Sequence, residues 1–164
     1  MGLHDEISEQ PAVLSRLAAQ ARPGVLDIGR ALRDRDIDMV YIVARGSSDN
    51  AGLFAKYLFG SHNHLPVAMA LPSLFTMYAA PPRLKRALVI GISQSGQSPD
   101  IVLAVAEAKR QGAPTVVITN DPDSPLAAQG EFVIDIAAGD ESAVAATKTY
   151  TAQLMAIAML SAGM

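Results

Sequence analysis

The stretch ALVIGISQSGQSPD, Ala87–Asp100, predicts a buried strand that ends in a hydroxyl-rich loop and leads into a helix. Its first part, Ala87–Ile90, is the kind of apolar run found in strands that are buried on both faces of a parallel sheet. Gly91 interrupts this run, and serines and glutamines follow it. Pro99 marks a helix start, because apolar residues recur after it at helical spacing.

A loop of this composition before a helix is suited to bind an anion. The first amides of a helix lack internal partners and carry partial positive charge, which favours a phosphate. Gly96 permits close approach of the backbone, and Ser93, Ser95 and Ser98 can donate hydroxyl hydrogen bonds. The loop has no Lys or Arg, which favours a small phosphate over a nucleic-acid backbone. An ordinary capped helix, with Ser98 as N-cap and Pro99 at the first helical position, has the same geometry.

The composition of the chain excludes several classes of protein. Half of the 164 residues are hydrophobic and 18% are charged, which indicates one folded domain with a core. The net charge of −3 provides no basic surface for nucleic acid, and the lack of cysteine excludes disulfides, thiolate zinc sites and a cysteine nucleophile. We expect no membrane span and a cytoplasmic location, because the apolar run 154–160 is short and charges interrupt the N-terminal segment.

A second unit of the same kind lies earlier in the chain. Met39–Ala44 predicts a buried strand, Arg45–Asp49 a hydroxyl-containing loop, and residues 50–59 a helix. Ligands of open parallel sheets lie beyond the carboxyl ends of the strands, where neighbouring loops converge. The two loops are therefore expected to face one pocket, although a turn followed by an N-cap would also account for Gly46, Ser47 and Ser48.

The remaining pattern predicts an α/β fold, a three-layer αβα sandwich around a five-stranded parallel sheet. Further strands are predicted at 66–70, 115–119 and 132–136. Helices are predicted at 1–21, where Pro11 should introduce a kink or a break, at 99–110, and from Ser142 to the C-terminus. The last helix is apolar on all sides over residues 152–160, so we expect a second copy or a second domain to cover it. A partly exposed, fraying chain end is the alternative.

At this point four segments show that the whole chain resembles the sugar isomerase (SIS) domain family. They occur in family order: Glu6–Pro11, Ala44–Ser48, Ser93–Ser98 and Val144–Lys148. The chain is similar to the first of the two SIS domains in the isomerase half of glucosamine-6-phosphate synthase, and equally to related aminosugar-phosphate isomerases and deaminases. The resemblance implies a flavodoxin-like SIS domain over residues 1–164, with helices 1–36 packed on or beside it. It also implies that the chain is the first half of a two-SIS protein.

The resemblance also implies site residues. Those expected to hold the phosphate of a hexose 6-phosphate or aminosugar phosphate are Ser93, Gln94, Ser95 and Ser98. Those expected to line the sugar site are Gly46, Ser47, Ser48, Val144 and Ala146. No metal or cofactor is expected, and His62 and His64 are interpreted as solvated loop residues.

Three departures from the synthase pattern favour the deaminase or isomerase branch. Ala146 stands where the synthases commonly have serine, Gln97 where they have glutamate, and Arg45 where they have cysteine. In the two-domain family the residues that move protons belong to the second domain or to the tail after it. The nearest titratable candidates in this chain are Glu141 and Lys148, for which a hinge charge and a helix-start charge are the alternative interpretations.

The sequence therefore predicts the phosphosugar-binding half of an aldose–ketose isomerase or deaminase that acts on glucosamine 6-phosphate or fructose 6-phosphate. This chain alone is expected to be inactive, and its partner is a second SIS domain, a homodimer through the last helix, or both. A non-catalytic phosphosugar sensor or subunit-pairing module is the alternative. A third possibility is a homodimer that completes its site with His62 or His64 from across the interface.

Overall fold

Five parallel strands form the central sheet of the computed structural model, which describes residues 2–164. The strands are β1 (Met39–Ala44), β2 (Val67–Met69), β3 (Ala87–Ser93), β4 (Thr115–Thr119) and β5 (Phe132–Asp135). Their order in the sheet is β2-β1-β3-β4-β5, and every neighbouring pair is parallel. This is the order of flavodoxin-like folds, and it confirms the predicted α/β architecture.

Within the described residues 2–164, six α-helices and one 3₁₀ turn at Ala127–Gln129 surround the sheet. The helices are α1 (Leu3–Gln20), α2 (Arg22–Arg33), α3 (Ser47–His62), α4 (Ser73–Thr76), α5 (Pro99–Arg110) and α6 (Lys148–Gly163). Met1, with which the first predicted helix began, lies outside the described residues. Because successive side chains of a strand point to opposite faces, the sheet has two apolar faces to cover, and the helices form two outer layers.

The central strand β3 shows how each face is covered. Leu88, Ile90 and Ile92 belong to the core shared with α1, α2, α3 and α6, whereas Ala87 and Val89 belong to the core shared with α5. All seven residues of β3 are buried, which includes the run Ala87–Ile90 for which the sequence predicted burial.

The prediction that β3 ends before Gly91 is wrong, because the strand continues through this glycine to Ser93. A Cβ atom at position 91 would lie 2.8 Å from Cγ2 of Val105 on α5. Gly91 thus lets α5 pack closely on the sheet and does not break the strand. The extra length carries Ser93 to the carboxyl edge of the sheet.

Two helix predictions also require correction. The predicted break at Pro11 is wrong, because α1 runs as one helix through this exposed residue, and a kink there stays a prediction. The backbone carbonyl that a proline leaves without an amide partner can there bond to water. Helix α6 begins at Lys148 and not at Ser142, because residues 142–147 form an irregular segment held by side chains from elsewhere in the chain.

The apolar helix α6 is covered by this chain itself. It packs against α1, α2 and α3, and within Lys148–Gly163 only Ala162 is exposed. The chain itself thus covers much of this helix, so burial alone does not require a second copy or domain, and a homodimer through α6 stays a prediction. Within residues 2–164, no helix combines the length and the hydropathy that crossing a bilayer requires.

Candidate functional site

A cavity of about 210 Å³ opens where the ends of β1 and β3 meet the starts of α3, α5 and α6. Its lining residues are Arg45, Ser47, Ser48, Ser93, Gln94, Ser95, Ser98, Ile101, Ala146, Thr149, Tyr150 and Gln153. The cavity therefore lies at the edge where parallel α/β sheets bind ligands. The two hydroxyl-containing loops face the same space, as the sequence predicted.

The loop after β3 is organised by its own serines. Gly96 has φ 62°, and its N–H donates to Oγ of the buried Ser93 over 3.1 Å. The N–H of Gln97 donates to Oγ of Ser95 over 3.3 Å. Each serine oxygen thus accepts from the loop backbone, and each hydroxyl proton stays available to an acceptor in the cavity.

The segment after β4 supports this loop from behind. The N–H of Asn120 donates to the carbonyl of Gln94 over 3.0 Å, and the N–H of Leu126 donates to the carbonyl of Gly96 over 3.1 Å. These bonds occupy the carbonyls of Gln94 and Gly96, which would otherwise be free to present negative partial charge to an anion. The loop is therefore tied to the neighbouring segment at two points.

Helix α5 starts beside the cavity. Ser98 occupies the N-cap position and Pro99 the first helical position, as the capped-helix interpretation predicted, but the Ser98 side chain makes no capping hydrogen bond in the described chain. Arg45 is the cation at the cavity rim, and its guanidinium lies 2.8 Å from the carboxylate of Asp100 in the first turn of α5. The guanidinium charge is therefore balanced by a carboxylate, and the donors that line the loop are uncharged.

The loop after β1 contributes through α3. Ser47 and Ser48 are the first residues of this helix, and both line the cavity. The hydroxyl oxygen of Ser48 accepts a hydrogen bond of 3.1 Å from Nε2 of Gln153 on α6. Gly46, with φ 60°, lines a neighbouring cavity of about 550 Å³ and not this one.

The segment before α6 is anchored by two glutamates. The buried carboxylate of Glu6 accepts from the N–H groups of Ser142 and Ala143 over 2.8 and 3.2 Å. The hydrogen bond from the Ser142 backbone lowers the pKa of Glu6 below its ordinary value of 4.5. Glu141 accepts from the N–H of Thr147 over 2.9 Å and from the N–H and hydroxyl of Thr149. Both carboxylates thus hold backbone near the start of α6.

Lys148 has a similar anchoring position. Its side chain is 2% exposed, and Nζ lies 2.5 Å from Oε2 of Glu9 on α1. Neither Glu141 nor Lys148 lines the cavity, and their contacts favour the hinge and helix-start interpretations over a catalytic one. Val144, predicted to contact the sugar, is 96% exposed and also lies outside the cavity lining.

The structure thus brings seven of the predicted site residues to one cavity: Ser47, Ser48, Ser93, Gln94, Ser95, Ser98 and Ala146. It leaves four outside the lining: Gly46, Glu141, Val144 and Lys148. Sequence reasoning missed Arg45, Ile101, Thr149, Tyr150 and Gln153 as lining residues. A signal for two of them was present, because Thr149 and Gln153 are polar residues at i and i+4, on one face of a mostly apolar helix.

Comparisons with known proteins agree with this geometry. The SIS domain model matches residues 35–162. Glutamine–fructose-6-phosphate aminotransferase (isomerizing) of Thermus thermophilus is 40% identical over 159 residues, which cover 95% of this chain but 26% of that relative. The chain therefore spans about a quarter of the length of its curated relatives.

Solved structures show the same relationship. A Silicibacter pomeroyi protein to which phosphosugar isomerase activity is ascribed is 44% identical, with a TM-score of 0.93 over 97% of this chain and 49% of that one. The C-terminal domain of glucosamine-fructose-6-phosphate aminotransferase from Francisella tularensis is 26% identical, with a TM-score of 0.76 over 97% of this chain and 48% of that one. The chain is thus homologous to the isomerase portion of these aminotransferases. It belongs to the SIS domain family.

Proposed function

We propose that this chain binds the phosphate end of a sugar phosphate at the loop after β3. The observation that carries the proposal is the convergence of uncharged hydroxyl donors and the start of α5 on one cavity. The donors assigned to the phosphate are Ser93, Gln94, Ser95 and Ser98. The sugar would extend towards Ser47, Ser48 and Ala146, which line the same cavity.

The electrostatics of the cavity support a small phosphate ester. Backbone amides at the start of a helix and neutral hydroxyls bind an anion without the field of a cationic cluster. Arg45 already has a carboxylate partner in Asp100, so it adds little net positive charge. Binding to a nucleic-acid backbone needs several unpaired cations, whereas Arg45 in this cavity lining is already paired with Asp100.

The chemistry of the cavity supports half of an active site. Moving a proton between neighbouring sugar carbons requires a positioned base, yet the lining contains no carboxylate and no imidazole. We therefore assign to this chain the phosphosugar-binding half of an aldose–ketose isomerase or deaminase, with glucosamine 6-phosphate or fructose 6-phosphate as ligand. A second SIS domain would supply the missing catalytic groups. A cytoplasmic location is also proposed, on sequence grounds alone.

A non-catalytic phosphosugar sensor or subunit-pairing module is the second candidate, and the lack of a base in the lining favours it equally. The homodimer alternative needs the histidine of another copy, because His62 of the same chain lies far from the cavity. Ser47 and His62 are the first and last residues of α3. At 1.5 Å per residue these helix ends lie roughly 22 Å apart, so His62 would have to come from another copy.

The test is calorimetric titration with fructose 6-phosphate, glucosamine 6-phosphate and inorganic phosphate. We expect binding by the wild-type chain and loss of most of the affinity in the Ser93→Ala/Ser95→Ala double variant. The matched control is Ser15→Ala/Ser61→Ala, which removes two exposed serines outside the cavity lining. Unchanged affinity in the first double variant contradicts the assignment of the loop, and robust isomerase or deaminase turnover by this chain alone contradicts the half-site assignment.

A further inference from the structure

Gln153 is the feature of the cavity that the proposed function leaves unexplained. It lies in the middle of the apolar helix α6, is 1% exposed, and lines the cavity. Its Nε2 donates to Oγ of Ser48, but its Oε1 has no hydrogen-bond partner. It is the one buried side-chain polar atom of residues 2–164 in this condition. A buried acceptor without a donor destabilises the unliganded protein, so its position calls for a donor that the chain itself does not supply.

The hydrogen bond between Gln153 and Ser48 determines what the Ser48 hydroxyl can do. Because Oγ of Ser48 accepts from Gln153, the proton of the Ser48 hydroxyl is left to donate to something else. Ser48 also lines the cavity. The pair therefore offers one donor, the Ser48 hydroxyl, and one acceptor, the Gln153 amide oxygen. The terminal torsion of a glutamine side chain is soft, so this oxygen can reorient towards a ligand in the cavity that Gln153 lines.

A single alcohol group of a ligand would satisfy both. Its oxygen would accept from the Ser48 hydroxyl, and its proton would donate to Oε1 of Gln153. A phosphate ester cannot do this, because at neutral pH its oxygens are mostly deprotonated and only accept. An apolar group would leave both the Ser48 hydroxyl and Oε1 of Gln153 without a hydrogen-bond partner.

We infer that Gln153 is a specificity residue that, together with Ser48, recognises a hydroxyl group of the sugar part of the ligand. This inference rests on the proposed function, since it assumes that the phosphate occupies the loop after β3. It adds to that function a site that selects a polyhydroxylated ligand over a simple phosphate ester.

The test compares three ligands by isothermal titration calorimetry: fructose 6-phosphate, hexyl phosphate and inorganic phosphate. Hexyl phosphate places the same ester on a six-carbon chain that lacks sugar hydroxyls. We expect the wild-type chain to bind fructose 6-phosphate about tenfold more tightly than hexyl phosphate. Gln153→Met, which preserves the length of the side chain, should remove this preference and leave the affinity for inorganic phosphate unchanged.

Gln94→Met is the matched control, because it makes the same substitution at a glutamine that the proposed function assigns to the phosphate. It should lower the affinity for all three ligands and leave the ratio of these affinities unchanged. The ratio is the decisive readout, since a merely structural role of Gln153 would weaken every ligand alike.

The outcomes separate the two proposals. A preference for fructose 6-phosphate that survives Gln153→Met, equal weakening of all three ligands, or no preference in the wild-type chain overturns the inference and leaves phosphate binding intact. A wild-type chain that binds none of the ligands overturns both. Should thermal unfolding show that Gln153→Met does not fold, Ser48→Ala decides instead: loss of the preference supports the inference, and its persistence overturns it.

Discussion

Gly96 lies so close to Ser124 that a Cβ atom at position 96 would overlap the Ser124 hydroxyl. Gly96 also has φ 62°, a left-handed conformation that residues with side chains rarely adopt. Ser124 is itself 1% exposed, and its Oγ accepts the N–H of Ala127, so it has little room to move. The candidate phosphate loop is thus shaped by contact with the segment after β4 as well as by its own serines.

Gly96→Ala should therefore both destabilise the protein and abolish sugar-phosphate binding. The left-handed conformation costs about 1–2 kcal/mol for alanine, and the overlap adds about 1–3 kcal/mol. Gly112→Ala is the matched control, because Gly112 has φ 78° but open space within 4 Å of a Cβ. Thermal unfolding should show a larger loss of stability in Gly96→Ala than in Gly112→Ala. Titration with fructose 6-phosphate should show a loss of affinity in Gly96→Ala only. Equal destabilisation of the two variants would contradict this account.

The buried Glu6 should make stability depend on pH in the acid range. Hydrogen bonds from the N–H groups of Ser142 and Ala143 lower its pKa in the folded protein below the ordinary 4.5. The ionised carboxylate therefore adds stability above pH 4.5, and this contribution is lost as the pH falls through the lower, folded value.

Urea unfolding of wild type and Glu6→Gln from neutral pH into the acid range measures this effect. The variant should be less stable at neutral pH, and the difference should shrink below pH 4.5, where the unfolded carboxyl becomes protonated. Parallel profiles for the two proteins would show that the Glu6 carboxylate does not stabilise the segment before α6.

The crossing of α2 and α6 depends on two glycines. A Cβ atom at Gly29 would lie 2.6 Å from Cα of Gly163, so the two helices touch backbone to backbone. Gly29→Ala should destabilise the protein by about 1–3 kcal/mol through overpacking. Gly60→Ala is the control: this exposed residue of α3 has open space around it, and removal of a helical glycine should add about 0.5–1 kcal/mol. If chemical denaturation gives changes in unfolding free energy of the same sign for the two substitutions, the close approach of the helices is refuted.

Lys148 should act on stability and not on ligand affinity. Lys148→Met leaves Glu9 unpaired, but Glu9 is 37% exposed and can be solvated, so we expect a loss of about 1–2 kcal/mol, below the cost of breaking a fully buried pair. Glu9→Gln in the Lys148→Met background should cost less than in wild type, which a double-mutant cycle of unfolding free energies measures. A large fall in affinity for fructose 6-phosphate in folded Lys148→Met would instead place Lys148 in the ligand site.

Local patterns in the sequence were sufficient for the architecture. Apolar runs such as Thr115–Thr119 are buried strands, and their alternation with helices allows few topologies, so the parallel sheet could be predicted and is confirmed. The same logic placed the loops after β1 and β3 at one edge of the sheet, where they share a cavity. The ligand roles of their serines stay predictions.

Local sequence patterns were thus enough to say which segments are strands and where hydroxyl groups collect. These features follow from neighbours along the chain, which share a strand face or a helix start. Contacts between distant segments were needed to show that α6 packs against α1–α3, that Glu6 holds a segment 136 residues away, and that Gln153 faces Ser48 with one atom unpaired. These outcomes depend on distant segments meeting in space, and no local period or spacing in the chain encodes that meeting.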